Sequence, residues 1–283
     1  MDMKTQDIDF ETFTPLQRAV KKAIINPFAN YAPAGMLKGL LRLGDSELAK
    51  ASWADPGGWR SMVISYKGDP DKLADRILVG AGTIPTALRN RKRLAARVLI
   101  QLIELQDHEP VHVLGLGAGP GMITAEAMTQ TDKPCHATMV DISSDAFEFG
   151  KQHAEEQGIA DRMRFIECDV RDVERFLDHP PDVVTMIGIC EYLDDEHIVS
   201  IATAAAHLMP AGKPIVFNSI SDAHGTDRFF RRVFGLHMNH RSPAQLQELM
   251  RRSGFDDFTA VPEPLGVYHI CVGRRTDQPV QEA

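Results

Sequence analysis

Apolar and polar positions follow two different rhythms along this chain, and the change falls near residue 109. Upstream the spacing is helical. Thr14-Pro15 has the form of a helix opening, a hydroxyl cap followed by proline at the first helical position, and Leu16, Val20, Ala23 and Ile24 then share a face. AGMLKGLLRLG and DSELAKASW predict two shorter helices, the second capped by Asp45, and DKLADRILVG predicts another that closes on Gly80. The longest runs from Pro85 to about Gln106, with Leu88, Ala95, Val98, Leu99, Leu102 and Ile103 at helical spacing. On it, RNRKR at 89–93 reads as a solvated basic face. The least regular stretch, SWADPGGWRSMVISYKGDP, holds Trp53, Trp59 and Tyr66. These aromatics read first as plugs fixing the helical region to its neighbour, and second as a pocket wall.

Downstream, short apolar runs alternate with helical segments, the pattern of a doubly wound parallel sheet. VHVLGL, HATMVDIS, RMRFIECDV, PDVVTMIGI and PIVFNSIS predict five strands. The second ends at Asp141 and the third at Asp169. MITAEAM, residues 143–157, IVSIATAAAHLM and SPAQLQELMRRSG predict the helices, the last opening on Ser242-Pro243 and stopping at Gly254. FDDFTAVPEP and VYHICVGRR supply two final strands. Between the fifth strand and the last helix, HGTDRFFRRVFGLHMNH reads as a polar, aromatic-bearing crossover.

Composition narrows the class. The chain has 283 residues, 43% of them hydrophobic and 25% charged, as in an ordinary globular protein. No apolar run approaches the ~20 residues of a membrane span, and the acidic opening MDMKTQDIDFETF is no secretory signal. A net charge of −8 argues against nucleic acid as the main partner. Cys135, Cys168, Cys190 and Cys271 are far apart, which predicts buried thiols in a reducing cytoplasm rather than a metal site. The expected division is a helical cap over 1–108, a sheet domain over 109–275 and a disordered tail over 276–283.

The chemistry is concentrated where the first strand meets its helix. Gly117, Gly119 and Gly121 follow an apolar strand and precede a helix, which brings backbone N–H groups and a helix N-terminus close to a ligand. The three glycines alternate, whereas a dinucleotide fingerprint places its third glycine where Met122 stands. Asp141 lies 20 residues past Gly121, the place for an acid on ribose hydroxyls.

The glycine loop, Asp141, Asp169 and the closing SGFDDFTAVPEPLGVYHICVGRR together resemble the class I S-adenosylmethionine (SAM)-dependent methyltransferase family over residues 109–275. The resemblance implies an α/β Rossmann-like sheet, mostly parallel with an antiparallel last strand, beneath an N-terminal all-helical cap. It implies SAM as cofactor, with Gly115, Gly117 and Gly119 in the loop, Asp141 on the ribose and Ile142 against the adenine. Asp169 would take the adenine amino group beside the Val170 N–H, and Gly188 to Tyr192, including Glu191, would pass under the methionine. The family usually carries an acid where this chain has Gly115, and Glu191 is the expected substitute.

Near the strand tips, Tyr192 could offer its ring face to a sulfonium, Asn218 could reach the ligand, and His224, on a loop at the mouth, is the candidate base. His237 and His240 have a spacing that could hold a metal, but no third ligand is evident, so none is expected. The expected activity is methyl transfer to a small molecule enclosed by the cap, yielding S-adenosylhomocysteine. The gap at Gly115 keeps open a cyclase or aminocarboxypropyl transferase that releases methylthioadenosine, similar to azetidine-carboxylate-forming enzymes and nicotianamine synthases. A SAM- or nucleoside-binding protein without turnover is the third expectation. Neither nucleic acid nor membrane is an expected partner, and a homodimer is left open.

Overall fold

The computed structural model describes residues 5–277. Seven strands form one sheet: β1 Val111–Leu116, β2 Cys135–Asp141, β3 Met163–Glu167, β4 Val183–Met186, β5 Pro214–Ile220, β6 Phe255–Pro262 and β7 Tyr268–Arg275. Their order is β3-β2-β1-β4-β5-β7-β6. The first five are parallel, and β7 runs antiparallel between β5 and β6. This is the mostly parallel sheet with an antiparallel last strand that the resemblance implies. The order reverses beside β1, so a crevice opens at the carboxyl ends of β1 and β4, where doubly wound sheets bind ligands.

Two apolar layers sandwich the sheet. One contains Val111 and Val113 of β1 with Ala125 and Met128 of the helix Met122–Gln130. The other sets Leu114 and Leu116 against Ile198, Ala202, Leu246 and Met250 from the helices Asp195–Leu208 and Pro243–Arg252. Strands buried on both faces read as continuous apolar runs, which is why β1, β4 and β5 lack a polar alternation. The third strand stops at Glu167, short of Asp169, which instead caps a 3-10 segment, Val170–Phe176.

The long helix is Thr83–Glu104. Leu94, Val98, Leu99, Leu102 and Ile103 lie in the same apolar layer as β1, whereas Ile84, Ala87 and Leu88 pack with Val267 and Tyr268. A boundary at 108/109 thus cuts through a shared core. RNRKR is not a solvated face: Arg89, Asn90 and Arg91 are buried. Arg89 is held by Glu11 at 2.6 Å, by the Ser65 and Val79 carbonyls, and by Thr86.

Before it come Pro15–Val20, a π-helical turn Lys21–Ile25, Asn26–Tyr31, Ala34–Leu43, Glu47–Ala54, Trp59–Lys67, Leu73–Asp75 and a second π-helical turn Arg76–Gly80. Thr14 and Gln17 form the reciprocal cap that Thr14-Pro15 foreshadows. Ser46, not Asp45, caps the helix Glu47–Ala54; its hydroxyl bonds the buried Asp75 at 2.5 Å. Asp45 sits just outside in the left-handed region, paired with Lys50 and Lys72. The stretch read as irregular contains a regular helix, Trp59–Lys67, ended by Gly68 at φ 73°. The expected crossover is partly helical, over Asp227–Phe229 and Phe230–Phe234. Of the expected tail, Thr276 bonds the Gly254 carbonyl, and the residues after Asp277 lie outside the described residues. Cys135, Cys190 and Cys271 are buried free thiols, and Cys168 is half-buried.

Candidate active site

β1 ends in a glycine loop whose turns need glycine for two separate reasons. Gly117, at φ 58°, has Ile189 so close that a Cβ would lie 2.5 Å from its Cγ2. Gly119, at φ 52°, is uncrowded: the nearest atom to its would-be Cβ is Trp59 Cβ at 3.8 Å. Its backbone therefore faces open space. Gly121 opens the helix Met122–Gln130 without a side-chain cap, so the first N–H groups of that helix lack one too.

Asp141 closes the loop from the tip of β2. Its Oδ2 accepts the Gly119 N–H at 2.9 Å and its Oδ1 the Ser143 N–H at 3.2 Å. Next to it, Ile142 is 76% exposed, an apolar side chain with nothing over it. Asp169 and Val170 do not line the same cleft. The Asp169 carboxylate is gripped by the Arg171 guanidinium at 2.8 and 2.5 Å, which with the Arg171 N–H holds its pKa down at about 2.

The cleft is bounded by Gly117–Thr124, Met139 and Asp141 on one side, and by Thr185, Ile187, Gly188, Ile189 and Tyr192 on the other. Its third wall comes from Gly57, Trp59, Met62, Val63 and Tyr66. Of the aromatics weighed as wall or plug, Trp59 and Tyr66 line the cleft. Trp53 instead packs on Phe234 and donates its indole N–H to the Val233 carbonyl at 2.8 Å. The Trp59 indole N–H is buried without a partner, a donor suited to a ligand oxygen.

Gly115 is not a position where an acid could be added freely. A Cβ there would stand 2.8 Å from Met139 Cε and 2.9 Å from its sulfur. Met139 occupies the space, and nothing in the sequence marks it for that task.

Glu191 does not replace the missing acid at the cleft. It is buried behind the floor, where Oε1 meets Arg91 Nη1 at 3.0 Å and Oε2 accepts from Asn218 Nδ2 at 3.4 Å. Asn218, fully buried, reaches the Gly188 N–H at 2.7 Å rather than the cleft. Gly188, at φ 88°, does line it. Arg91 also bonds the Tyr66 hydroxyl at 2.9 Å and lies over the Tyr268 ring at 4.8 Å. A chain of polar contacts thus runs from Tyr66 through Arg91, Glu191 and Asn218 to Gly188.

Tyr192 lines the cleft and packs its ring on Gly57, where a Cβ would lie 2.8 Å away. His224 is not a mobile base at the mouth. It is 1% exposed, its Nε2 is 3.2 Å from that of His240, and its Nδ1 is 3.0 Å from the Thr226 hydroxyl. Burial, with His240 beside it, pushes its pKa down to about 4. His237 is exposed, and no cluster of His, Cys, Asp or Glu suited to a metal occurs among the described residues.

Comparison with known proteins agrees with this geometry. A family model described as a methyltransferase domain matches residues 113–212. The tRNA 5-carboxymethoxyuridine methyltransferase of Escherichia coli K12 is 28% identical over 117 residues, 41% of this chain, and the chain spans 42% of the length of that curated relative. Magnesium protoporphyrin IX methyltransferase from Synechocystis PCC 6803, solved with bound S-adenosylhomocysteine, superposes with a TM-score of 0.57 at 13% identity, covering 84% of this chain and 99% of that one. A candidate exported protein of Bordetella parapertussis reaches a TM-score of 0.65 at 15% identity, over 78% and 79% of the two chains. At such identities these two structures speak for the fold. The family match falls on the glycine loop, Asp141 and the β4 crevice, so residues 113–212 are similar to a methyltransferase domain, on a sheet that shares its fold with SAM-dependent methyltransferases.

Proposed function

We propose that the chain transfers the methyl group of SAM to a small-molecule acceptor, leaving S-adenosylhomocysteine. The observation that carries this reading is the shared cleft, whose floor is the glycine loop and whose third wall is the helix Trp59–Lys67. The residues fit the cofactor: an uncrowded Gly119 backbone, a helix start with uncapped N–H groups, an acid at the end of β2, and an orphaned indole N–H. When bound, SAM supplies a methyl group already activated on a positively charged sulfur. The protein then has to align the acceptor and exclude water. Asp141 would bind the ribose hydroxyls while anchoring Gly119, Ile142 would cover the adenine, and the N-terminal helices would act as the cap.

The acceptor class follows from what the lining lacks. Asp141, Tyr66 and Tyr192 are its titratable side chains, and Asp141 is tied to the loop while Tyr66 is tied to Arg91. None is placed as a base for an aliphatic alcohol. An acceptor that brings its own lone pair at neutral pH, such as a carboxylate, aromatic amine or thiolate, suits this cleft. The E. coli relative is named for tRNA, but a net charge of −8 disfavours a polyanionic acceptor here.

The missing acid at Gly115 favours one other reading, loss of the aminocarboxypropyl arm as methylthioadenosine is released. Calorimetry with SAM, S-adenosylhomocysteine and methylthioadenosine, followed by mass spectrometry of the spent cofactor, decides the matter. S-adenosylhomocysteine supports methyl transfer, methylthioadenosine supports the second reading, and binding without turnover of any acceptor tried points to a non-catalytic SAM protein.

A further inference from the structure

The first helices leave their apolar side uncovered. From Pro15 to Tyr31 no residue is buried, and Leu16, Ile24, Phe28 and Tyr31 are each more than half exposed. The next helix, Ala34–Leu43, buries Leu37 against Phe229, Val233 and Phe234 but leaves Leu40 and Leu43 outside, the latter 86% exposed. What holds this region down is largely polar: Asn26 and Asn30 donate to the His224 and Gly225 carbonyls, and Arg228 and Arg232 donate to the Asn30 carbonyl. A monomer that stays in water rarely keeps such a run of large side chains uncovered.

Charge identifies the partner. In a chain of net charge −8, residues 14–44 contain five basic residues, Arg18, Lys21, Lys22, Lys38 and Arg42, and no acid. None of the five has an ion pair among the described residues. Lys38 and Arg42 also line a cleft with Arg231, Arg232, Trp53 and Phe234, and no acid is among its lining residues. A two-fold dimer through this segment would set the cationic face against itself, which opposes that arrangement. An amphipathic, acid-free helical segment with basic residues beside exposed leucine, isoleucine and aromatic side chains matches the interface of an anionic bilayer. No helix among the described residues is long and apolar enough to cross one.

We propose that residues 14–44 dock the protein on an anionic lipid surface, with the apolar side chains at the acyl boundary and Lys22, Lys38 and Arg42 among the headgroups. This departs from the expectation that no membrane takes part.

The test is flotation of the full chain with vesicles of phosphatidylcholine alone or mixed with phosphatidylglycerol. Docking predicts at least about tenfold more bound protein on the mixed vesicles, declining as salt is raised. Lys22→Glu with Lys38→Glu should lower binding about tenfold or more, and Leu40→Asp with Leu43→Asp should abolish it. These side chains are outside the cores, so circular dichroism and SAM binding should be unchanged in both variants. That control separates this proposal from the one on the cleft. No flotation, equal binding to both vesicle types, or variants that still float would overturn it. So would a dimer in light scattering that Leu40→Asp with Leu43→Asp dissolves, or RNA binding lost in the Lys variants without any vesicle binding.

Discussion

Arg91 and Glu191, 100 positions apart in the chain, meet as a buried ion pair at 3.0 Å with side chains 0% and 2% exposed. Breaking such a pair leaves a charge in a site that water cannot reach. Arg91→Met or Glu191→Gln alone should lower unfolding stability by about 3–5 kcal/mol. Replacing both together should cost less than the sum of the two, because neither variant then strands its partner. Urea denaturation of the three variants checks this; additive losses would show that the pair is not coupled.

At the cofactor loop, Asp141→Ala removes the acceptor of the Gly119 N–H along with the proposed ribose contact. SAM affinity should fall by about 1–3 kcal/mol, the range for losing a charged hydrogen-bond partner. Titration calorimetry measures it, and an unchanged dissociation constant would refute the assigned role of Asp141.

Gly115 and Met139 should behave as a pair. Gly115→Asp places a Cβ within 2.8 Å of Met139 Cε, an overpacking expected to cost about 1–3 kcal/mol. Adding Met139→Ala opens that space and should recover part of the loss in a thermal melt. If the second substitution worsens the first, the methionine is not what excludes a side chain there.

The His224 imidazole supplies a pH dependence. Its pKa is pushed from the ordinary 6.5 down to about 4, chiefly by burial. Between those values the unfolded chain holds the proton and the folded one does not. The contribution of His224 is therefore fully present above the unfolded value, is lost as pH falls through the window, and levels off below about 4. The full change is of the order of 3 kcal/mol. Denaturation at a series of pH values, with His224→Gln as comparison, should show a shallower slope in the variant; equal slopes would exclude His224 as the source.

Much of the sheet domain was legible because its signals are local. Apolar runs bounded by turns announced the strands, Ser242-Pro243 announced a helix start, and the alternating glycines with Asp141 announced the loop that lines the cleft. What stayed hidden depends on partners distant in sequence. Arg89 and Arg91 read as exposed because nothing near them is acidic, yet Glu11 and Glu191 lie 78 and 100 residues away. His224 read as a loop base for the same reason: its burial comes from Asn26, Phe230 and His240. The role of Met139 follows only from the parallel pairing of β1 with β2, whose register sets it beside Gly115.

The helix Thr83–Glu104 also limits how the cleft can open. Its 22 residues extend about 33 Å, with one end seated beside Tyr268 and the other clamped in the layer under β1. A beam fixed at both ends gives the cleft wall a rigid backing: it holds the Tyr66 hydroxyl through Arg91 at 2.9 Å and the Ser65 carbonyl through Arg89 at 3.1 Å. The shorter helix Trp59–Lys67, bounded by Gly57 and Gly68 in the left-handed region, is therefore braced against that beam. The third wall of the cleft is thus set by the same beam that carries the buried Arg91–Glu191 pair.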